Sequence, residues 1–263
     1  MNSVFAQTIR DKRGFLAGWG LGFLALAGLM VIFFPAMQTD GSLDALLKNM
    51  PAALQGLVGD LANLKEFGTY LAAQMFDVRV QLLGGVMVII LALGLTVSEE
   101  ETGRLRTVLS LPVSRTSLFV QKWLAMLVVI GLTVAMLGIG VLAFQPFINE
   151  AIDLWVLARL LGMTWLLLGA LGSVVYALGF ATGKRSIAMP IGTFVVVGSF
   201  IVTTFSAGVD WLKDYEYLSV FHYYPAVEIA KNSAGGTDAL VLVALALIPL
   251  VLGWLRFRVR DVR

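Results

Sequence analysis

The charged residues with the most suggestive spacing lie in one polar stretch, Ser98–Trp123, which separates two apolar segments. It opens with three consecutive carboxylates, Glu99, Glu100 and Glu101. Four basic residues follow them: Arg104, Arg106, Arg115 and Lys122. Charge runs usually form solvated surfaces, but this one joins two long apolar segments directly. We therefore interpret the stretch as a docking element for a soluble partner.

Catalytic and metal-binding chemistry has little support elsewhere. The chain has no cysteine, which excludes disulfides, thiol nucleophiles and thiolate metal sites. Its single histidine, His222, lies among aromatic residues and has no carboxylate three or four positions further on. We interpret His222 as a packing residue at a membrane interface and assign neither a catalytic residue nor a metal site.

The segment Gly179–Ser186 matches the phosphate-binding loop motif only in part. The first glycine is one residue too close to the Gly-Lys pair, and Arg185 occupies the position where Ser or Thr would bind Mg²⁺. The segment is better interpreted as a tight turn carrying positive charge. We expect no nucleotide cofactor in this chain.

The amino-acid composition indicates that the chain lies in a membrane. Of the 263 residues, 59% are hydrophobic and 14% are charged, whereas an average soluble domain has about 25% charged residues. A net charge of +2 argues against a nucleic-acid partner. The sequence predicts an all-α integral membrane protein surrounded by lipid.

We predict six transmembrane helices in a single domain, 1–263. Each apolar run is near the roughly 20 residues needed to cross hydrocarbon. The predicted spans are 15–34, 80–97, 123–144, 160–182, 187–206 and 239–255. In the first span, Gly14, Gly18 and Gly22 recur every fourth residue and form a flat stripe that permits close helix packing.

The predicted outer loops are 36–79 and 207–238. Apolar residues at i, i+3, i+4 and i+7 over 43–61 predict an amphipathic helix at the interface, and a second short one is expected over 64–76. These helices are either an external gate or a passive cap. With these boundaries the span cores hold no ionisable residue, and Arg79 and Arg159 lie at outer ends.

Charge predicts the orientation. One set of segments, consisting of the N-terminal 14 residues, the 98–122 loop, the Gly183–Ser186 turn and the C-terminal tail, carries 13 of the 19 basic residues. By the positive-inside rule this set is cytoplasmic. Both termini are then cytoplasmic, as expected for a multi-pass protein of a prokaryotic cell membrane.

The 98–122 loop has its own predicted structure. Leu105, Val108 and Leu109 form the apolar side of a short helix, with the three carboxylates at its N-terminal end. Pro112 ends this helix, and Ser114 caps a new one that continues into the third span. We expect Leu105 and Leu109 to fill an apolar groove on a partner.

This stretch resembles a loop of the permease subunits of ABC-2-type exporters, which reads approximately E-x-x-x-G-(T/R)-L-x-x-x-L-S-x-P-V-S-R-x-x-x-x-x-x-K. The matching residues are Glu99, Gly103, Arg104, Leu105, Leu109, Ser110, Pro112, Val113, Ser114, Arg115 and Lys122. Thr8–Phe15 is similar to the amphipathic helix that precedes the first span in that family. The six spans and the long first outer loop agree with it too.

The resemblance implies a function. In the family, separate ATPase subunits dock on this loop, the coupling loop (98–122 here), and drive export through a pathway made by two six-span units. ATP and Mg²⁺ would be bound by the ATPase partner, and a second permease copy or a sister permease would complete the pathway. The predicted docking residues are Glu99, Glu100, Gly103, Arg104, Leu105, Leu109, Pro112, Ser114 and Arg115.

The apolar spans suggest hydrophobic or amphipathic cargo such as a drug, lipid or peptide. Two alternatives remain. One is an ATP-independent carrier or channel, which should show intramembrane charges or inverted repeats. The other is an intramembrane lipid-modifying enzyme, which needs a cluster of polar groups facing a lipid cleft.

Overall fold

The computed structural model describes residues 4–39, 66–110, 113–206, 208–231 and 236–261, and these ranges contain helices and no β-strand. Two helices precede the first gap: α1 (Val4–Asp11) and α2 (Arg13–Thr39). The second long helical segment comprises α3 (Phe67–Leu71), a π-helix (Ala72–Val80), α4 (Gln81–Leu95) and α5 (Val97–Glu101). The later α-helices are α6 (Arg104–Leu109), α7 (Arg115–Phe144), α8 (Leu154–Thr182), α9 (Arg185–Ser206), α10 (Asp210–Lys213), α11 (Ala226–Ala230) and α12 (Gly236–Val259).

Six helical segments of the described chain are long and apolar enough to cross a membrane, which confirms the predicted number. Their bounds are Arg13–Ala36, Phe67–Glu101, Arg115–Ile148, Leu154–Thr182, Arg185–Ser206 and Gly236–Val259. Most begin earlier than the apolar runs predicted, because helix continues into the polar flanks of each run. The chain is an all-helical, multi-pass membrane protein.

The largest difference concerns the second span, which begins at Phe67 instead of residue 80. The short interfacial helix expected over 64–76 is wrong in its described part, because residues from Phe67 onward form the first turns of this span. Tyr70, Leu71, Met75 and Phe76 are almost wholly buried in the bundle, and the Tyr70 hydroxyl donates to the Met30 carbonyl at 3.0 Å. The longer amphipathic helix predicted over 43–61 lies outside the described residues.

Polar residues on the π-helix explain why hydropathy missed this segment. The Asp77 carboxylate accepts a hydrogen bond from the Gln81 amide at 2.9 Å, and the Arg79 guanidinium donates to the Gln74 carbonyl. Asp77 also accepts from the backbone N–H of Ala226, at the start of α11. Asp77 and Arg79 therefore lie on the second span and not in the predicted loop 36–79, so the expectation of spans without ionisable groups does not hold once this span begins at Phe67.

α8 is the central helix. It packs against α4, α7, α9 and α12, while α2 packs mainly on α7. Two close approaches depend on glycine: a Cβ on Gly140 would lie 2.8 Å from the Leu24 carbonyl oxygen of α2, and one on Gly253 would lie 2.8 Å from Ala177 of α8. By contrast, the stripe Gly14, Gly18 and Gly22 has nothing within 4 Å of the corresponding positions. That stripe makes no close contact within the described chain.

The described part of the segment after the fifth span packs into the bundle. Tyr224 is fully buried, and its hydroxyl lies 2.6 Å from the Thr164 hydroxyl of α8. Burial raises the pKa of Tyr224, so this hydroxyl stays neutral. His222 is partly exposed beside Tyr223, with Nδ1 3.4 Å from the Glu216 carboxylate. Glu216 is a carboxylate neighbour that the spacing in the sequence did not indicate, and the packing role of His222 stays a prediction.

Candidate partner-binding surface

Four segments converge at one end of the bundle, which we call the loop end: α1, α5 with α6, the turn after α8, and the chain after α12. Arg104 of α6 lies 3.7 Å from Asp11 of α1. Arg185 donates to the Ser98 hydroxyl at 2.9 Å, and Arg260 forms a salt bridge with Glu100. These are the segments that charge assigned to one face of the membrane, and the described residues bring them into contact.

The backbone departs from helical geometry twice to form this surface. The helix breaks at Thr96, with φ −119° and ψ −89°, before α5 begins. Gly103 then adopts φ +73°, a left-handed conformation that glycine takes without a Cβ penalty, and turns the chain into α6. The three carboxylates therefore belong to α5 and end the second span. The prediction that they lie at the N-terminal end of the Arg104–Leu109 helix is wrong, because Gly103 separates the two helices.

Glu99 and Lys122 form a buried ion pair. The Lys122 ammonium contacts the Glu99 carboxylate and also donates to the Leu95 carbonyl at 3.2 Å. The Lys122 side chain is only 3% exposed, and the Glu99 side chain is 18% exposed. Little of either group is available to a partner protein. The pair instead joins the last turn of the second span to the first turns of α7.

Arg115 and Glu100 also bind within the chain. The Arg115 guanidinium donates to the backbone carbonyls of Phe257 at 3.0 Å and Arg260 at 2.5 Å, just where α12 ends. Glu100 pairs with the Arg260 guanidinium, and the two side chains are 9% and 14% exposed. Both predicted docking residues therefore hold the coupling loop against the C-terminal tail.

The apolar side of α6 faces inward. Leu105 is 1% exposed and belongs to the core, with Val108 packed beside it. The expectation that Leu105 fills a groove on a partner is wrong for this conformation, because the bundle itself buries that side chain. The Leu109 side chain and Pro112 lie outside the described residues.

The exposed part of the loop that precedes α7 is polar. From Glu101 to Ser114, the exposed described residues are Glu101, Thr102, Arg104, Arg106, Thr107, Ser110 and Ser114, while Thr116 and Val120 are exposed on α7 itself. The Ser114 hydroxyl accepts from the Ser117 backbone N–H at 3.1 Å, which confirms the predicted N-cap of α7. A partner that approached this surface would meet mainly charged and hydroxyl groups.

A polar cavity of about 330 Å³ opens between α1, α6 and α7. It is lined by Val4, Gln7, Thr8, Asp11, Glu99, Arg104, Thr107, Val108 and Lys122. Nearby, the Lys12 ammonium donates to the Gly94 carbonyl at 3.2 Å. Burial lowers the pKa of Lys12, an effect that the Glu99 and Asp11 carboxylates oppose. The N-terminal helix thus contributes charged groups to the same surface as the loop.

An aromatic cluster supports the loop end from within the bundle. Phe119 of α7, Tyr176 and Phe180 of α8, and Phe257 of α12 have neighbouring ring centroids 4.6–6.2 Å apart. The Tyr176 hydroxyl donates to the Phe119 carbonyl at 2.6 Å. Three spanning helices are therefore packed together directly beneath the coupling loop.

Sequence reasoning missed the part played by Arg260. The basic residues of the C-terminal tail contributed only to the charge count, since nothing in their spacing indicated a partner 160 positions away. The usable signal was that Glu100 and Arg260, which carry opposite charges, lie on segments assigned to the same face.

These features define the chain as a multi-pass membrane protein with a structured loop between its second and third spans. A family model described as ABC-2 family transporter protein matches residues 4–262. The chain belongs to this family, whose members are generally non-catalytic membrane subunits associated with ABC ATPases. No curated protein matches the sequence.

Proposed function

We propose that this chain is the permease subunit of an ATP-driven exporter and that a separate ATPase docks on the surface of α5 and α6. The observation that carries the proposal is the placement of that surface. α5 continues the second span, α7 is the third span, and the exposed polar residues between them can be reached by a partner. Movement of a docked partner would act directly on two spanning helices.

ATP and Mg²⁺ belong to the ATPase in this proposal, and the chain itself has no catalytic role. A second copy of the chain or a sister permease completes the pathway, because six helices alone rarely enclose a route for bulky cargo. The side of the membrane that carries the loop end is assigned from the basic residues to the cytoplasm of a prokaryotic cell.

Hydrophobic or amphipathic cargo is supported by the apolar lining of a cavity between the spanning helices. This cavity of about 120 Å³ lies between α7, α8 and α12, and its walls include Trp123, Trp165, Leu166 and Leu242. The Trp165 indole N–H donates to the Leu127 carbonyl, and the Trp123 indole N–H donates to Ser173. Since both donors are satisfied within the chain, the walls offer apolar surface.

The docking test uses surface residues that do not contribute to the core. Arg106 is exposed on α6, so Arg106→Glu should weaken co-purification of the ATPase encoded beside the permease while the permease still inserts into membranes. Arg256→Glu, at an exposed position of α12, is the matched charge control. Equal ATPase recovery with Arg106→Glu, including at low salt, would contradict docking on α6.

One observation favours a second candidate, an ATP-independent carrier. Asp77 lies on the second span, where an ionisable group is unusual and is often functional. Transport by the chain alone in liposomes, driven by a proton or sodium gradient and abolished in Asp77→Asn, would support this candidate. Transport that requires the ATPase and nucleotide would exclude it.

A further inference from the structure

The C-terminal end of α12 is bound to both helices that flank the coupling loop. Arg115, the first residue of α7, donates to carbonyls in the last turn of α12 and just beyond it. The last carbonyls of a helix have no partners within that helix, so such a contact fixes the helix end in place. On the other side of the loop, Glu100 of α5 pairs with Arg260.

This junction is closely packed. Arg115 also lies over the Phe257 ring, 5.7 Å from its centroid, and Phe257 is fully buried against Phe119 and Phe180. A Cβ at Gly183, in the turn after α8, would meet the ends of the Arg260 and Glu100 side chains, so this turn also lies against the ion pair. The end of α12 is therefore in direct contact with both α5 and α7.

Through the membrane, α12 packs mainly against α8, and this is the most extensive helix pair among the described residues. It makes few contacts with α7, and only Leu242, Gly253 and Phe257 are buried. At the loop end, its polar contacts with α5 and α7 are the Glu100–Arg260 pair, the hydrogen bonds from Arg115, and a hydrogen bond from the Trp254 indole N–H to the Thr116 hydroxyl at 3.1 Å. They also join it to the helices that a docked ATPase would move.

We propose that Arg115, Glu100 and Arg260 are positioning residues that transmit movement of the coupling loop to α12. This inference rests on the proposed function, because the movement is supplied by the docked ATPase. When α5 and α7 shift relative to each other, the two contacts carry the end of α12 with them, so that the sixth span moves together with the second and third.

Arg260 has a feature expected of a residue that exchanges partners. Its Nε is buried and has no hydrogen-bond acceptor within the described residues. Buried donors without acceptors are uncommon in native structures. In the proposed mechanism this donor gains an acceptor when α5 and the tail change their relative positions.

The absence of cysteine allows a direct test with paired spin labels. One pair, at Phe147 and Leu240, reports the distance between the outer ends of the third and sixth spans. A control pair, at Phe147 and Leu83, reports the distance between the third and second spans. All three positions are exposed and outside the loop end. Distances are measured on the permease–ATPase complex without nucleotide and after trapping with ATP, Mg²⁺ and vanadate.

In the otherwise unchanged chain we expect nucleotide trapping to shift both distances. In Glu100→Gln and in Arg260→Gln, the Phe147–Leu240 shift should be lost while the Phe147–Leu83 shift and ATPase binding persist. The double variant Glu100→Arg/Arg260→Glu restores opposite charges and should restore the first shift. If these residues only stabilised the fold, the single variants would not lose the Phe147–Leu240 shift alone, and the charge-swapped double variant would not restore it.

The outcomes separate the two proposals. If no ATPase co-purifies with the unchanged chain, the proposed function fails and the transmission role fails with it. If the ATPase binds and the Phe147–Leu240 shift survives in both single variants, only the transmission role is overturned. A double variant that folds and binds the ATPase but does not regain the shift would also overturn it.

Discussion

The ion pair between Lys122 and Glu99 is the most consequential contact between single residues at the loop end. Removing two charges from water has a large desolvation cost, which their attraction and additional hydrogen bonds offset. Here the Leu95 carbonyl provides such a bond to the ammonium. The carboxylate that the sequence offered as a docking group is therefore needed inside the chain to neutralise a buried lysine.

Glu99→Gln should consequently destabilise the permease. Breaking a buried pair leaves one charge uncompensated and typically costs about 3–5 kcal/mol. We expect a lower midpoint of thermal unfolding for the detergent-purified protein. Glu101→Gln is the matched control, because Glu101 is exposed on the same short helix. Equal midpoints for the two variants would show that the pair does not contribute to stability.

Leu105 and Arg106 are neighbours with opposite expected roles. Leu105→Ala removes a buried side chain and should cost about 2–5 kcal/mol of stability, whether or not the ATPase is present. Arg106→Ala should leave the unfolding midpoint unchanged and weaken only ATPase binding, as expected for an exposed side chain. Thermal unfolding and co-purification of each variant distinguish the roles, and the reverse pattern would contradict the burial of Leu105.

Among the secondary-structure elements, the sequence predicted those that depend on a repeated pattern or on neighbouring residues in the chain. The spans followed from apolar length, and the Ser114 cap followed from its position before a helical run. The first half of the second span was missed because Asp77 and Arg79 look like loop residues; they are satisfied by Gln81 and Gln74 on the same segment, and Asp77 also by the start of α11, which no local pattern indicates. The partners of Glu100 and Arg115 were missed for the same reason, since a contact over 140 positions leaves no local pattern.

The sequence also did not indicate which glycines lie at close helix contacts, and these glycines provide a test of helix packing. Gly253→Val should separate α12 from α8, because a side chain there meets the Ala177 backbone, and overpacking typically costs about 1–3 kcal/mol. Gly18→Val is the control, since nothing lies within 4 Å of its Cβ position. Unfolding midpoints of the two purified variants check the expectation. A lower midpoint for Gly18→Val alone would indicate that the predicted glycine stripe packs against another chain.

For the whole molecule, orientation decides whether any cytoplasmic partner can reach the loop end. Cysteines introduced singly at Ser114 and Asp214 should react differently with a membrane-impermeant maleimide in intact cells. We expect labelling at Asp214 only, because the basic residues place Ser114 in the cytoplasm. Permeabilised cells provide the control for accessibility. Labelling of Ser114 from outside would reverse the topology and exclude a cytoplasmic ATPase at that surface.

Because few residues of α12 are buried, related proteins should tolerate many substitutions along this helix. Outside Leu242, Gly253 and Phe257, most of this helix faces lipid or is only partly covered by the chain. Lipid tails do not distinguish one aliphatic side chain from another as a packed protein interior does. Related sequences are therefore free to exchange Leu, Ile and Val along most of the helix. We expect residue identity to stay constant mainly at those three positions and at the charged end of the helix that contacts Arg115 and Glu100.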